Sequence, residues 1–447
     1  MSPPEKRRRR HTRYFNRVLA AEVSASTRYY ERIIQCAPVV FDEGDLLALV
    51  DNEDRSVVPS LEELSDLGAE RSRRTAVLLN GNVNFSFDIQ DLLSRLRPRL
   101  SRTSRVVVVA YNPYLKWLFR LLSALGLSRS GKMTTFVTES ALSHIASLTE
   151  FEKVRSRPCC YIPFKLLGLG SLVNKLLPAV PLLRRLLALA EVIVLRPRIP
   201  SADRPSLSIV IPARNEAGNI GRAVEETPQL PGVETELIFV EGHSTDDTWE
   251  AIQRAVAAGH ETFRLSAYQQ TGKGKVDAVR LGFSKARNEI LTILDADLTM
   301  PPEMLPRFYE AYVRGHADYV NGSRLLYPME GGAMRFLNHL GNLFFAKTLS
   351  VLLGMQIGDS LCGTKLIAAH DYERVRRWRD DFGDFDPFGD FELLFSAAEL
   401  ALGSVDIPVR YRARTYGSTN ISRFRHGLVL LKMTFVGLFR IRLGKTS

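Results

Sequence analysis

Cysteine is scarce in this sequence: Cys36, Cys159, Cys160 and Cys362 are the only four in 447 residues. That is too few for a disulfide scaffold, and the adjacent Cys159 and Cys160 lack the C-x-x-C spacing of a zinc or redox centre. Buried thiols in a reducing compartment are the expectation. Long uncharged apolar runs are missing too. A spanning helix needs about 20 nearly uncharged residues. The greasiest stretch, residues 164–195, is broken by Lys175, Pro178, Pro181, Arg184, Arg185 and Glu191. Residues 427–439 are fewer and interrupted by Lys432. Both stretches suit a membrane surface or a core helix, and neither suits a crossing. No apolar segment follows the basic run at 6–10, so it does not read as a secretory signal. Acidic residues are outnumbered, 49 against 60 Lys and Arg, for a net charge of +11. Such a balance favours anionic partners. The chain has no recognised nucleic-acid-binding module, so nucleic acid is not an expected partner.

Hydrophobic residues make up 45% and charged residues 24%, which excludes a mostly disordered or fibrous chain. At roughly 150 residues per domain, the length allows two or three domains. Residues 196–205 resist both helix and strand through Pro197, Pro200 and Pro205. The expected division is a basic disordered tail over 1–24, an α/β domain over 25–198, a linker over 199–205 and a second α/β domain over 206–447. The last is expected to end in an apolar, basic helix.

The second half alternates short apolar strands with amphipathic helices, the pattern of a mainly parallel sheet covered on both faces. Ligands of such sheets bind beyond the carboxyl ends of the strands. Three polar clusters fall there. Pro212-Ala-Arg214-Asn215-Glu216 follows a strand over 207–211, Glu241-Gly-His-Ser244-Thr-Asp246 follows one over 237–240, and Asp295-Ala-Asp297 follows one over 289–294. Two carboxylates separated by one small residue at a strand end can face one divalent ion. Hard oxygen ligands suit Mg²⁺ or Mn²⁺, and such an ion would neutralise a diphosphate leaving group. Ser244 and Asp246 equally suit the cap of the helix that follows.

In this order the motifs resemble those of family 2 glycosyltransferases with a GT-A fold, over residues 206 to about 425. The nearest group is the polyprenyl-phosphate sugar transferases, similar to dolichol-phosphate mannose or glucose synthases. The first cluster matches P-x-x-N-E, and Val240-Glu-Gly-His-Ser-Thr-Asp-Asp-Thr248 matches V-D-D-x-S-x-D-x-T. Gly272-Lys273-Gly-Lys275 matches G-K-G, Asp295-Ala-Asp297 the metal motif, and Gly322-Ser-Arg324 matches G-S-R. Asp359-Ser-Leu-Cys-Gly-Thr-Lys365 and Tyr416-Gly-Ser-Thr-Asn420 match later segments. The resemblance implies that Pro212, Arg214, Asn215, Glu216, Glu241, Ser244 and Asp246 face the nucleotide, with Lys273 and Asp295 at the donor phosphates. It implies Asp295 and Asp297 as metal ligands, with Asp297 essential to catalysis. One departure is Gly242, where the family carries an aspartate, so the contribution of that carboxylate is absent.

The acceptor side turns on protons. A phosphate monoester is already an anionic nucleophile, so cations such as Arg324 and Arg335 suffice to position it. A sugar hydroxyl must lose a proton and calls for a base; Asp390, in Gly389-Asp-Phe-Glu392, is then the candidate. The same two carboxylates also suit a helix N-terminus. The apolar stretch 335–353 suits the side of a lipid tail.

In the first half, strands over 76–79 and 106–110 flank a helix over 89–100, and the region resembles the late portion of a class I S-adenosylmethionine methyltransferase. The early G-x-G-x-G loop of that family is missing, and Asp42-Glu-Gly-Asp45 is a poor substitute. A truncated Rossmann-like domain without methyl transfer is expected, serving as a binding or recruiting module. The whole reads as a metal-dependent, inverting glycosyltransferase. It would move sugar from a nucleotide-sugar to polyprenyl phosphate while peripherally attached at the cytoplasmic membrane face. A glycan hydroxyl acceptor, or a bifunctional glycosyltransferase and methyltransferase, are the alternatives.

Overall fold

The computed structural model of the chain describes residues 3–39, 45–68, 73–124, 135, 137–179, 186–327, 336–384, 389–414, 416 and 423–443. They form two compact units, Met1–Ile199 with Leu438–Ser447, and Pro200–Gly437. The prolines of residues 199–205 do not leave a free linker. Ser201 N–H donates to Val313 O at 2.8 Å, Tyr309 OH donates to Pro205 O at 2.7 Å, and Arg204 pairs with Glu310 at 2.8 Å. Every one of these contacts is to the second unit.

The first unit is a mixed six-stranded sheet: β1 (Arg32–Cys36), β2 (Asp54–Val58), β3 (Thr75–Asn80), β4 (Arg105–Tyr111), β5 (Phe151–Cys159) and β6 (Ala190–Pro197), in the order β2-β1-β3-β4-β6-β5. The first four are mutually parallel, and β6 runs antiparallel to both β4 and β5. Arg105-Val-Val-Val-Val-Ala-Tyr111 is buried along its whole length, as a parallel strand covered on both faces requires. Asp88 caps the helix Ile89–Leu96 by accepting Asp91 N–H at 2.8 Å. Of the tail expected to be disordered over 1–24, residues 3–24 are instead part of a helix, Pro3–Thr27. Its C-terminal half is apolar on one side, and Leu19, Ala20 and Val23 are buried. That burial outweighs the repulsion a run of arginines suggests from sequence.

The second unit is a seven-stranded sheet: β7 (Leu207–Ala213), β8 (Thr235–Glu241), β9 (Phe263–Gln269), β10 (Ile290–Ile293), β11 (Tyr319–Ser323), β12 (Lys365–Ala368) and β13 (Ser404–Pro408), ordered β13-β11-β12-β10-β7-β8-β9. β7 to β10 are parallel, with Ile209, Ile211, Leu237, Phe239 and Ile290 in the core. β12 is antiparallel to β10 and to β11. The carboxyl ends of β7, β8, β9, β10 and β11 therefore share one edge of the sheet with the amino end of β12.

Candidate active site

All three polar clusters read from the sequence stand on that edge. After β7 the chain turns through Asn215, whose φ of 58° is left-handed, a conformation asparagine adopts more readily than most residues. The turn is fixed from the β8 loop. Ser244 Oγ accepts Asn215 N–H at 3.0 Å, Thr248 Oγ1 accepts Glu216 N–H at 2.9 Å, and Asn215 Oδ1 accepts Thr245 N–H at 2.8 Å. Asp246 accepts from Ala217 N–H at 3.4 Å and from the Thr248 hydroxyl. Glu241 is buried and accepts Ser244 N–H at 2.5 Å. Ser244 and Asp246 thus lace two loops together. Pro212 is half-buried in β7, and Arg214 beside it is exposed. A side chain at Gly242 would meet nothing closer than 3.4 Å, so no crowding forces glycine there.

Beyond β10, Asp295 forms an ion pair with Lys275, from the first turn of the helix Lys275–Lys285. Lys273, expected at the phosphates, is exposed, and Lys275 reaches the carboxylate instead. Asp297 Oδ1 accepts from Thr299 N–H at 3.0 Å and from its hydroxyl at 2.8 Å, while Oδ2 holds Arg414 at 2.5 Å. Arg414 also stands 3.5 Å from Glu216. Burial pushes the Asp295 carboxyl up, but Lys275, Lys365 and Arg414 together hold it below the usual range, so it is ionised. Burial raises Glu216, offset in part by Asn219 Nδ2 donating at 2.7 Å.

The donor set fits a hard divalent ion. Two carboxylates, Asp295 and Asp297, already face cations, and Mg²⁺ is commonly held by one or two carboxylates with water and substrate phosphates completing the shell. Among the described residues no three of His, Cys, Asp and Glu stand close enough to hold a metal by themselves.

On the other side of the edge, Arg324 makes a fork on buried Asp359, Nε to Oδ2 at 2.6 Å and NH2 to Oδ1 at 2.9 Å, with Tyr411 stacked 5.3 Å away. Burial pushes Asp359 up, but Arg324 holds it below its ordinary range. The guanidinium expected to meet an anion is therefore already paired. Asp390 lies 3.1 Å from Lys365, which also donates to Asn321 Oδ1 at 3.2 Å. Glu392 is held by Arg280 and by Arg379, the latter at 3.2 Å. Arg335 lies outside the described residues, as do residues 417–420 of the Tyr416 motif. Sequence reading missed Arg414, Lys275 and Lys365 as members of the site. Two of them sit inside quoted motifs, and Arg414 precedes Tyr416 by two positions.

Residues 208–374 match the family model described as glycosyl transferase family 2. Among curated relatives, a low-salt glycan biosynthesis hexosyltransferase of Haloferax volcanii is 28% identical over 230 residues, 50% of this chain and 51% of that protein. A dolichyl-phosphate hexose transferase of the same organism is 27% identical over 229 residues, 51% of this chain and 91% of that protein. An undecaprenyl-phosphate 4-deoxy-4-formamido-L-arabinose transferase of Proteus mirabilis is 26% identical over 220 residues, 48% of this chain and 63% of that protein. The chain thus spans about half to two thirds of two of these relatives and nearly all of the third. Edge chemistry and sequence likeness fall on the same segment: the polar edge of the second sheet lies within or next to residues 208–374, which match the glycosyl transferase family 2 model.

Proposed function

We propose that the chain is a metal-dependent, inverting sugar transferase that uses a nucleotide-sugar donor and a polyprenyl phosphate acceptor at the cytoplasmic face of a membrane. One observation carries the reading: the Asp295 and Asp297 carboxylates at the end of β10 meet the β7 and β8 loops and a set of cations on one sheet edge, within or next to the segment that matches the family 2 model. Arg214, Asn215, Glu216, Glu241, Ser244 and Asp246 would frame the nucleotide. Asp295 and Asp297 would hold Mg²⁺ or Mn²⁺, which neutralises charge on the departing nucleoside diphosphate. Lys275 and Arg414, already beside those carboxylates, would add positive charge toward the same phosphates.

An acceptor phosphate oxygen attacks the anomeric carbon from the side opposite the diphosphate; one C–O bond forms as the other breaks. With a second pKa near 6, a phosphate monoester is largely dianionic at neutral pH and needs no base. The environment of Asp390 supports this choice over a glycan hydroxyl, because the carboxylate is buried against Lys365. Arg324, with Arg335, remains the candidate for the acceptor phosphate, Arg324 by exchanging part of its Asp359 fork. Peripheral attachment fits the acceptor. Among the described residues no helix is long and apolar enough to cross a membrane. The helices Phe336–Leu353 and Arg423–Gly437 nevertheless expose Leu343, Phe344, Leu428 and Phe435. We read the first unit as a Rossmann-like remnant, similar to a methyltransferase but without methyl transfer; its parallel β2-β1-β3-β4 order supports the Rossmann-like part of that reading.

The test is to incubate the full chain with a panel of nucleotide-sugars, polyprenyl phosphate and Mg²⁺ or Mn²⁺. Solvent-extractable lipid-linked sugar is expected. Glycan products with no lipid-linked sugar from any donor would move the assignment to the hydroxyl acceptor.

A further inference from the structure

We propose that the first unit carries its own docking surface for an anionic lipid bilayer. The inference deepens the membrane placement above and rests on it for the choice of occupant.

The sequence sets the charge. Residues 153–190 contain no Asp or Glu, and neither do residues 111–138, although the chain has 49 over its 447 residues. Both stretches carry cations, and the exposed ones include Arg120, Lys165 and Lys175. Glu139 and Glu22, from outside these stretches, pair with Lys153 and Arg157; Arg120, Lys165 and Lys175 stay exposed and give the surface an excess of positive charge.

The structure sets the shape. On the helix Leu169–Leu176, Leu169, Leu172 and Leu176 are all more than half exposed. Their spacing of three and four puts them on one face. Leu167 precedes them with a φ of 56° and a fully exposed side chain. A left-handed leucine thrust into water is disfavoured twice, by backbone and by hydration. Tyr114 and Trp117 are 68% and 62% exposed.

Hydrogen bonds join these pieces into one region. Asn174 Oδ1 accepts Tyr161 N–H at 2.7 Å and Ile162 N–H at 3.0 Å, tying the leucine helix to residues 160–162. Leu189 N–H donates to Cys160 O at 2.8 Å, and Asn112 Nδ2 donates to Ala188 O at 2.8 Å. Those two bonds lead from residues 160–162 to the chain just before Tyr114. Tyr14 OH lies 3.2 Å from Ser171 Oγ, so the helix that begins with the basic run at 6–10 is anchored here too. Arg13 and Arg17 flank Tyr14 on that helix and are exposed.

Separate protruding leucines, a tryptophan and a tyrosine, and an excess of exposed cations match what an interfacial surface needs. Leucines enter the acyl boundary, aromatic rings sit at the headgroups, and each cation near an anionic surface adds attraction. A protein partner would need acidic complementarity with an apolar cleft; an anionic bilayer supplies both charge and hydrocarbon over the whole region.

The experiment uses the full chain and vesicles of phosphatidylcholine with phosphatidylglycerol, free of polyprenyl phosphate and nucleotide-sugar. Failure of the transferase assignment therefore leaves this result untouched. Wild type should float with the vesicles at low salt. The triple variant Leu169→Glu, Leu172→Glu, Leu176→Glu should lose partitioning on the order of a hundredfold, from three apolar contacts removed. Its melting temperature should stay unchanged, since the side chains are exposed. Brominated lipid should quench tryptophan emission in wild type and much less in Trp117→Phe, because Trp378 is buried and the half-buried Trp249 packs against the core of the second unit. Undiminished flotation of the triple variant, or undiminished quenching in Trp117→Phe, would overturn the proposal. So would sedimentation showing a wild-type dimer that the triple variant dissolves while neither binds vesicles.

Discussion

Replacing Gly363 by alanine would push one methyl group into the Asp295–Lys275 ion pair. The new Cβ would lie 2.9 Å from Asp295 Cγ and nearer still to the Asp295 carboxylate oxygen and Lys275 Nζ. Carbon atoms need about 3.5–4.0 Å, so the carboxylate must retreat by roughly 0.6–1 Å. Lys275 can swing its flexible end aside; Asp295, on a short side chain at a strand end, cannot. Gly363 is not in the left-handed region, so the backbone itself accepts alanine. The expected fold penalty is about 1–3 kcal/mol of overpacking. The expected rate loss is near 10²-fold, the usual consequence of an ångström of misplacement at a reacting centre. Gly221→Ala is the matched control: it sits in the helix Ile220–Glu225, and an added Cβ meets nothing within 4 Å. It should gain about 0.5–1 kcal/mol with transfer unchanged. Steady-state kcat/KM for lipid-linked sugar formation, with thermal melts of each variant, reads both effects. Wild-type kcat/KM in Gly363→Ala would refute the idea that the Asp295 position matters to the chemistry.

Asp297→Ala should abolish transfer while the protein melts as before, and excess EDTA should do the same to wild type; full activity in either case removes the metal assignment. Asp359→Asn should destabilise the fold by about 3–5 kcal/mol in urea titrations, because it leaves the Arg324 cation largely buried without its anion; a loss below about 1 kcal/mol would mean the guanidinium finds solvent. Since Arg324 lowers the folded pKa of Asp359, that stabilisation is fully present above the unfolded value of ~3.9 and is lost only as pH falls through the lower folded value. Removing it by Asp359→Asn should therefore flatten the acid limb of the stability curve. Calorimetry of the full chain with S-adenosylmethionine should give no binding heat, as the absent glycine loop requires; micromolar affinity would revive the bifunctional alternative.

The polar edge of the second sheet was legible because its strands are apolar runs that stop at polar residues. Leu207–Ala213, Thr235–Glu241 and Ile290–Ile293 each end where the sequence turns to carboxylates and amides. Pairings over long separations were not legible. Arg324 meets an aspartate 35 positions later, and Arg414 meets Asp297 across more than a hundred. No local pattern announces either. β12 is four residues long, too short for periodicity to distinguish from a loop, yet its reversed direction delivers Lys365 to the site. At the amino end, the arginines of the first ten residues hid a helix whose buried residues come later, at Leu19, Ala20 and Val23. The proline-rich segment 196–205 straddles the two units: Pro197 ends β6, and Pro200 and Pro205 belong to the second.

The reversed strand has an engineering consequence. β11 and β12 are hydrogen-bonded neighbours running in opposite directions, with Asn321 opposite Lys365. The chain therefore leaves the sheet after Ser323 and returns to it at Lys365 through adjacent backbone positions about 5 Å apart. Such an excursion is a cassette: its two ends are clamped by the ladder whatever its length or composition. A chimera exchanging residues 324–364 with the matching span of a sequence relative would keep the β7–β10 half intact. It would replace the Asp359 fork on Arg324 and the exposed apolar helix together, moving the proposed acceptor side as one inherited block.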